Sequence, residues 1–178
     1  MPIEETALAI LVPQAERLVG SFRDDYDPSA ALGMPAHITL LYPFVAAAAT
    51  DAAVHDRLRG CFAGAAPFDF VLTEARRFPD RALYLAVEPE APFRCLTRAI
   101  WQLFPEAPPY GGRYPTIVPH LTIADRQQAA RLADIDRRFA QAAHGMLPIR
   151  ARASEVALLD ARSGRWQVNT TFPLGQPM

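Results

Sequence analysis

The stretch PAHITLLYPF, residues 35–44, has polar side chains set inside an apolar run. VPHLTIAD, residues 118–125, repeats its centre: His, an apolar residue, Thr, an apolar residue. Side chains two apart on a strand point the same way. His37 and Thr39 therefore share one face while Ile38 and Leu40 take the other, and His120 and Thr122 do the same against Leu121 and Ile123. The apolar faces suit a core. The polar faces are explained if both strands face one cleft, where two imidazoles can exchange protons near neutral pH and two hydroxyls can donate hydrogen bonds.

Around each His strand the same order of elements is expected. Residues 6–12, TALAILV, form an apolar run closed by Pro13 and read as a strand. Leu18, Val19 and Phe22 recur at helical spacing within 14 to about 26. Asp27-Pro28 ends that helix, and SAALGM is read as a loop. After the first His strand, Thr50 is the expected N-cap of a helix with Val54, Leu58 and Phe62 on one side. The strand FDFVLTEARRF follows, and Pro79-Asp80 turns the chain.

The second pass begins with the strand RALYLAVEP (81–89) and a helix over 92 to about 104. The loop PEAPPYGGRYPTIVP leads to the second His strand, then come a helix from near 125 to about 143 and the strand LPIRARASEVALLD. WQVNTTFPL (166–174) adds a last strand. This doubled order predicts an α+β fold of two pseudo-symmetric lobes, each an antiparallel sheet with outer helices, around a central cleft. One domain is expected over 1–178, with lobe one about 1–80, lobe two about 81–165 and the last strand about 166–174.

Bulk properties limit the partners. With 51% hydrophobic residues the chain has ample material for a core. Its 18 basic residues nearly cancel 19 acidic ones, giving a net charge of -1. Proteins that hold long nucleic acid through many phosphates are usually far more basic, so a short or locally gripped ligand is expected. Cys61 and Cys95 belong to no CxxC pair and are read as reduced thiols. The start, MPIEETALAILVP, lacks a basic n-region and its apolar run is too short to span a bilayer, so a cytoplasmic protein without membrane attachment is expected, a monomer by default. No HExxH helix or carboxylate spacing supplies a third metal ligand beside the two strand histidines, so no metal site is expected. His55, in a charged helix, and His144, in a loop, are assigned to the surface.

The paired motifs His37-Ile38-Thr39-Leu40 and His120-Leu121-Thr122-Ile123 resemble those of the two-histidine (2H) phosphoesterase superfamily, and within it the bacterial 2'-5' RNA ligase family. HITLLYPF, RALYLAVEP, PPYGGRYPTIVPHLTI and FPLG extend the resemblance over nearly the whole chain. It implies cleavage of 2',3'-cyclic phosphates on RNA ends or small nucleotides, or reversible 2'-5' joining of RNA ends, without metal or nucleotide cofactor. In such chemistry one of His37 and His120 is the base and the other the acid, and Thr39 and Thr122 bind the non-bridging oxygens.

Substrate contacts are expected from Arg113 to phosphate and from Tyr110 or Tyr114 to a base, with Tyr42 a further candidate of different parity from His37. Adjacent Arg76 and Arg77 point to opposite faces, so at most one reaches the cleft. Two other functions fit the same residues: a non-catalytic module binding a nucleotide or RNA end, and a hydrolase of another small cyclic phosphodiester.

Overall fold

The structure, a computed structural model, describes residues 4–175. Eight strands are present: β1 (Thr6–Leu11), β2 (His37–Leu41), β3 (Phe68–Phe78), β4 (Ala82–Glu88), β5 (His120–Ala124), β6 (Ile149–Ala153), β7 (Glu155–Asp160) and β8 (Gln167–Pro173). They form a single curled antiparallel sheet in the order β6-β3-β4-β5-β2-β1-β7-β8. Five helices accompany them: α1 (Glu16–Tyr26), α2 (Pro28–Ala31), α3 (Ala52–Ala63), α4 (Ala91–Leu103) and α5 (Ala129–Ala142).

The alternation in the two His motifs decides which face is buried. Ile38, Leu40, Leu121 and Ile123 are all at most 1% exposed and join Leu18, Val19, Phe93, Ile100 and Phe139 of the helices in the main core. A smaller apolar cluster lies apart from it, where Ala9, Met34, Ala157 and Leu159 meet Leu11 and Trp166. β1 serves both clusters because Leu8 and Ile10 enter the first and Ala9 the second.

The sheet has two four-stranded halves that meet at β2 and β5. A single Cα pair, Ile38 with Leu121, joins them. The halves are not the consecutive stretches expected from the sequence order. β3 lies beside β4 in the His120 half, and β7 lies beside β1 in the His37 half. The helices cross as well: α1 packs against β5 and α4 against β2. Thr97 of α4 donates its hydroxyl hydrogen to the Leu40 carbonyl at 2.7 Å.

Four local expectations need correction. The SAALGM segment begins with the short helix α2, because the Asp27 carboxylate accepts from Ser29 N–H at 2.9 Å and caps it. Asp51, not Thr50, caps α3 by accepting from Val54 N–H at 2.9 Å; Thr50 instead bonds the Ala47 carbonyl. α5 starts at Ala129 rather than near 125. Before it, Asp125 N–H is bonded to the Tyr26 carbonyl and Gln127 N–H to the Arg81 carbonyl. Finally, LPIRARASEVALLD is two strands broken at Ser154, since β6 and β7 belong to different halves.

Candidate active site

An antiparallel pairing centred on Ile38 and Leu121 sets His37 opposite Thr122 and Thr39 opposite His120. All four lie on the face away from the main core, each half-buried. Directly opposed side chains on antiparallel strands have Cβ atoms roughly 5 Å apart. The two motifs thus make a compact quartet of alternating imidazole and hydroxyl.

Each imidazole is oriented by its own chain. His37 Nδ1 lies 2.7 Å from the Pro35 carbonyl and His120 Nδ1 lies 2.7 Å from the Val118 carbonyl. A carbonyl oxygen only accepts, so Nδ1 carries the proton in both neutral rings and Nε2 keeps the free lone pair. Burial chiefly, and then the Arg23 charge, hold His37 down at about 4. Burial also lowers His120, opposed by the Val118 hydrogen bond and by Asp125.

The surroundings of the two rings differ. His120 sits edge-on to Phe78 at 5.1 Å and to Tyr84 at 5.4 Å, and those two rings stack at 4.3 Å. A register shift between Leu83 and Tyr84 pairs Tyr84 with Thr122. Behind His37 stands the buried Arg23–Asp27 ion pair, 3.0 Å between Nη2 and Oδ2. Just past the end of β5, Asp125 pairs with Arg81 at 3.3 Å.

The other predicted residues are only partly assembled with the quartet. Tyr110 comes close to Thr39, and burial pushes its phenol up to about 12. Its backbone has φ 52°, and its N–H is bonded to the Tyr42 carbonyl at 2.6 Å. Tyr42 is half-buried, donates to Glu5 at 2.8 Å and meets Trp166 edge-on at 6.1 Å. Burial first, then the Glu5 bond, raises its phenol to about 12. Tyr114 is exposed and stands edge-on to Tyr110 at 5.7 Å, and Arg113 is exposed beside it. Arg76 lies opposite Tyr84 and bonds Glu74, whereas Arg77 turns to Asp136 of α5. His55 is not a free surface ring; it is half-buried, edge-on to Phe172 at 5.8 Å. His144 is exposed.

Sequence reasoning missed Arg23, Asp27, Phe78, Tyr84 and Trp166. A signal existed for the first two. Arg23 falls four residues after Val19 on the apolar stripe of α1, where a charge needs a partner, and Asp27 follows four later. Phe78 and Tyr84 depend on a register shift, and Trp166 on a distant loop, so nothing local marks them.

Comparison with known proteins agrees with this architecture. The family model described as 2'-5' RNA ligase superfamily matches residues 11–165. Among solved structures, Escherichia coli LigT complexed with 3'-AMP aligns with TM-score 0.62 and 17% identity, over 99% of this chain and 100% of that one. TT0787 of Thermus thermophilus gives 0.61 and 16%, over 98% and 100%. Usb1 of Kluyveromyces marxianus gives 0.55 and 14%, over 97% and 99%. No curated protein sequence matches.

Proposed function

The chain belongs to the 2'-5' RNA ligase superfamily, and from that membership and its cleft we propose that it is a phosphoesterase opening 2',3'-cyclic phosphates. The observation that carries this reading is the Ile38–Leu121 register, which gathers two Nδ1-anchored imidazoles and two hydroxyls on one face. One neutral imidazole takes a proton from water at Nε2 as the water oxygen bonds to phosphorus. The bond from phosphorus to one ribose oxygen breaks, and the other ring, as imidazolium, protonates that oxygen. The product is a 2'- or 3'-phosphomonoester. Thr39 and Thr122 donate to the non-bridging oxygens, whose charge grows in the transition state. Base and acid are both side chains, so the step needs no ion to activate water.

An RNA 5'-hydroxyl in place of water gives a 2'-5' phosphodiester by the same proton transfers, and this is the ligation reading. Small substrates suit the net charge of -1. LigT has been crystallised with three nucleotides, 3'-AMP, NADP+ and ATP, and with phosphate. Arg113 supplies a guanidinium for phosphate, and Tyr42, Tyr110 and Tyr114 supply aromatic surface for a base. Incubation with 2',3'-cyclic AMP tests the reading. His37→Ala and His120→Ala each lower turnover by about 10²–10⁴-fold. Full activity in either variant would overturn the scheme, and saturable binding without product would leave only a binding module.

A further inference from the structure

The two histidines are alike within their motifs and unlike in what stands behind them. Arg23 and Asp27 are 3% and 4% exposed, the one ion pair among the described residues with both side chains buried. Arg23 Nε and Nη2 donate to Asp27 Oδ2 at 3.1 and 3.0 Å, and Nη2 also donates to the Met34 carbonyl at 3.0 Å. The next carbonyl, of Pro35, is the one that accepts from His37 Nδ1. Ala36 is fixed in turn: its N–H donates to Glu16 Oε1 at 2.6 Å and its carbonyl accepts from Val12 N–H at 2.8 Å. Residues 34–36 are therefore anchored to α1 and the end of β1, and the His37 ring inherits that rigidity.

His120 has no comparable anchor. Residues 111–116 ahead of it are exposed, and the ring is held sideways by Phe78 and Tyr84. The charges differ as well. His37 is faced by Arg23 of α1, by Asp27 just past the end of that helix and by His120 from β5, and the guanidinium outweighs the carboxylate. His120 is faced by Asp125 and Arg81, and there the carboxylate outweighs the guanidinium. A positive charge behind a ring keeps it neutral, as a base must be, while a negative one helps a ring hold the proton an acid must give.

We propose that the Arg23–Asp27 pair is a positioning device for His37, fixing residues 34–36 and assigning His37 as the general base and His120 as the general acid. The role assignment rests on the phosphoesterase reading; the hold of the ion pair on His37 does not. Arg23 touches no reacting atom and acts through the backbone and the field.

The test is proton NMR titration of the His37 imidazole, assigned among the four histidines by its loss in His37→Gln. In Arg23→Gln the midpoint rises from about 4 toward the ordinary 6.5, and the acid limb of kcat/KM on 2',3'-cyclic AMP rises with it. Arg23→Gln strands a buried carboxylate, so Arg23→Gln/Asp27→Asn serves as the better-folding variant, with a smaller rise. Arg23→Lys keeps the charge but not the forked geometry, so it holds the midpoint near the wild-type value.

Roles are separated with bis(p-nitrophenyl) phosphate, whose leaving group departs without a proton. There His120→Ala stays within about tenfold of wild type, while His37→Ala loses about 10²-fold or more. The reverse pattern overturns the assignment. A His37 midpoint unmoved in a folded, active Arg23→Gln protein overturns the ion-pair proposal alone. A wild-type protein that leaves 2',3'-cyclic AMP intact overturns the roles with the function, and the titration still reads the ion pair.

Discussion

At the scale of single residues, the quartet rests on the hydrogen bond each imidazole makes to the carbonyl two positions before it. That bond fixes the tautomer, and its short reach restrains the ring, so Nε2 is the nitrogen left free. The same burial that orients His37 makes it a pH-sensitive element of stability. Held at about 4 in the folded chain, against 6.5 for a free imidazole, the ring takes its proton preferentially in the unfolded state. Its contribution is complete above pH 6.5 and drains away as pH falls toward 4. His120, also lowered, acts in the same direction. In His37→Gln the loss of thermal stability between pH 6.5 and 4 is shallower than in wild type. Melting temperatures recorded across that window measure the difference, and parallel curves for the two proteins would show that His37 titrates normally.

At the scale of elements, local periodicity decides what the sequence discloses. The α1 stripe and the apolar–polar alternation of both His strands are set by neighbours three, four or two positions away, so they read directly. The start of α5 does not, because residues 125–128 are held by the Tyr26 and Arg81 carbonyls, 99 and 46 positions distant in sequence from their donors Asp125 and Gln127. The break at Ser154 is equally invisible, since only the sheet order separates β6 from β7. The site divides along the same line. The two imidazoles and two hydroxyls announce themselves in the motif, while the ion pair and aromatic rings that differentiate the two histidines come from other elements. One such long-range tie is testable at this scale. Thr97 on α4 bonds the Leu40 carbonyl of the first His strand while 5% exposed. Thr97→Val keeps the shape and removes the donor, which costs about 1–2 kcal/mol. Urea denaturation measures it, and a loss below about 0.3 kcal/mol would mean that this tie does not hold β2 in place.

At the scale of the whole molecule, the two halves are woven together instead of laid side by side. The chain places β1 and β2 in one half, crosses to supply β3, β4, β5 and β6 to the other, and returns with β7 and β8. Ser154 alone separates β6 from β7, so the curled sheet brings strands of opposite halves within roughly 7 Å at that point. α1 backs the His120 strand and α4 backs the His37 strand, so each imidazole depends on a helix that follows a strand of the opposite half. A cleft that holds two imidazoles on one face gains from this arrangement, because neither half can shift without disturbing the core of the other. The consequence is that a cut near residue 80 cannot yield independent lobes. A fragment of residues 1–80 contains β3 without β4 and β6, and β1 without β7; the remainder contains β7 without β1. Expressed separately, both fragments give circular dichroism and amide NMR spectra of unfolded chains, while the intact chain unfolds in one transition with coincident near- and far-ultraviolet signals. Well-dispersed amide spectra from either fragment alone would mean that the strand exchange is not needed to hold a half together, and with it would go the reason for expecting the two histidines to keep a fixed separation.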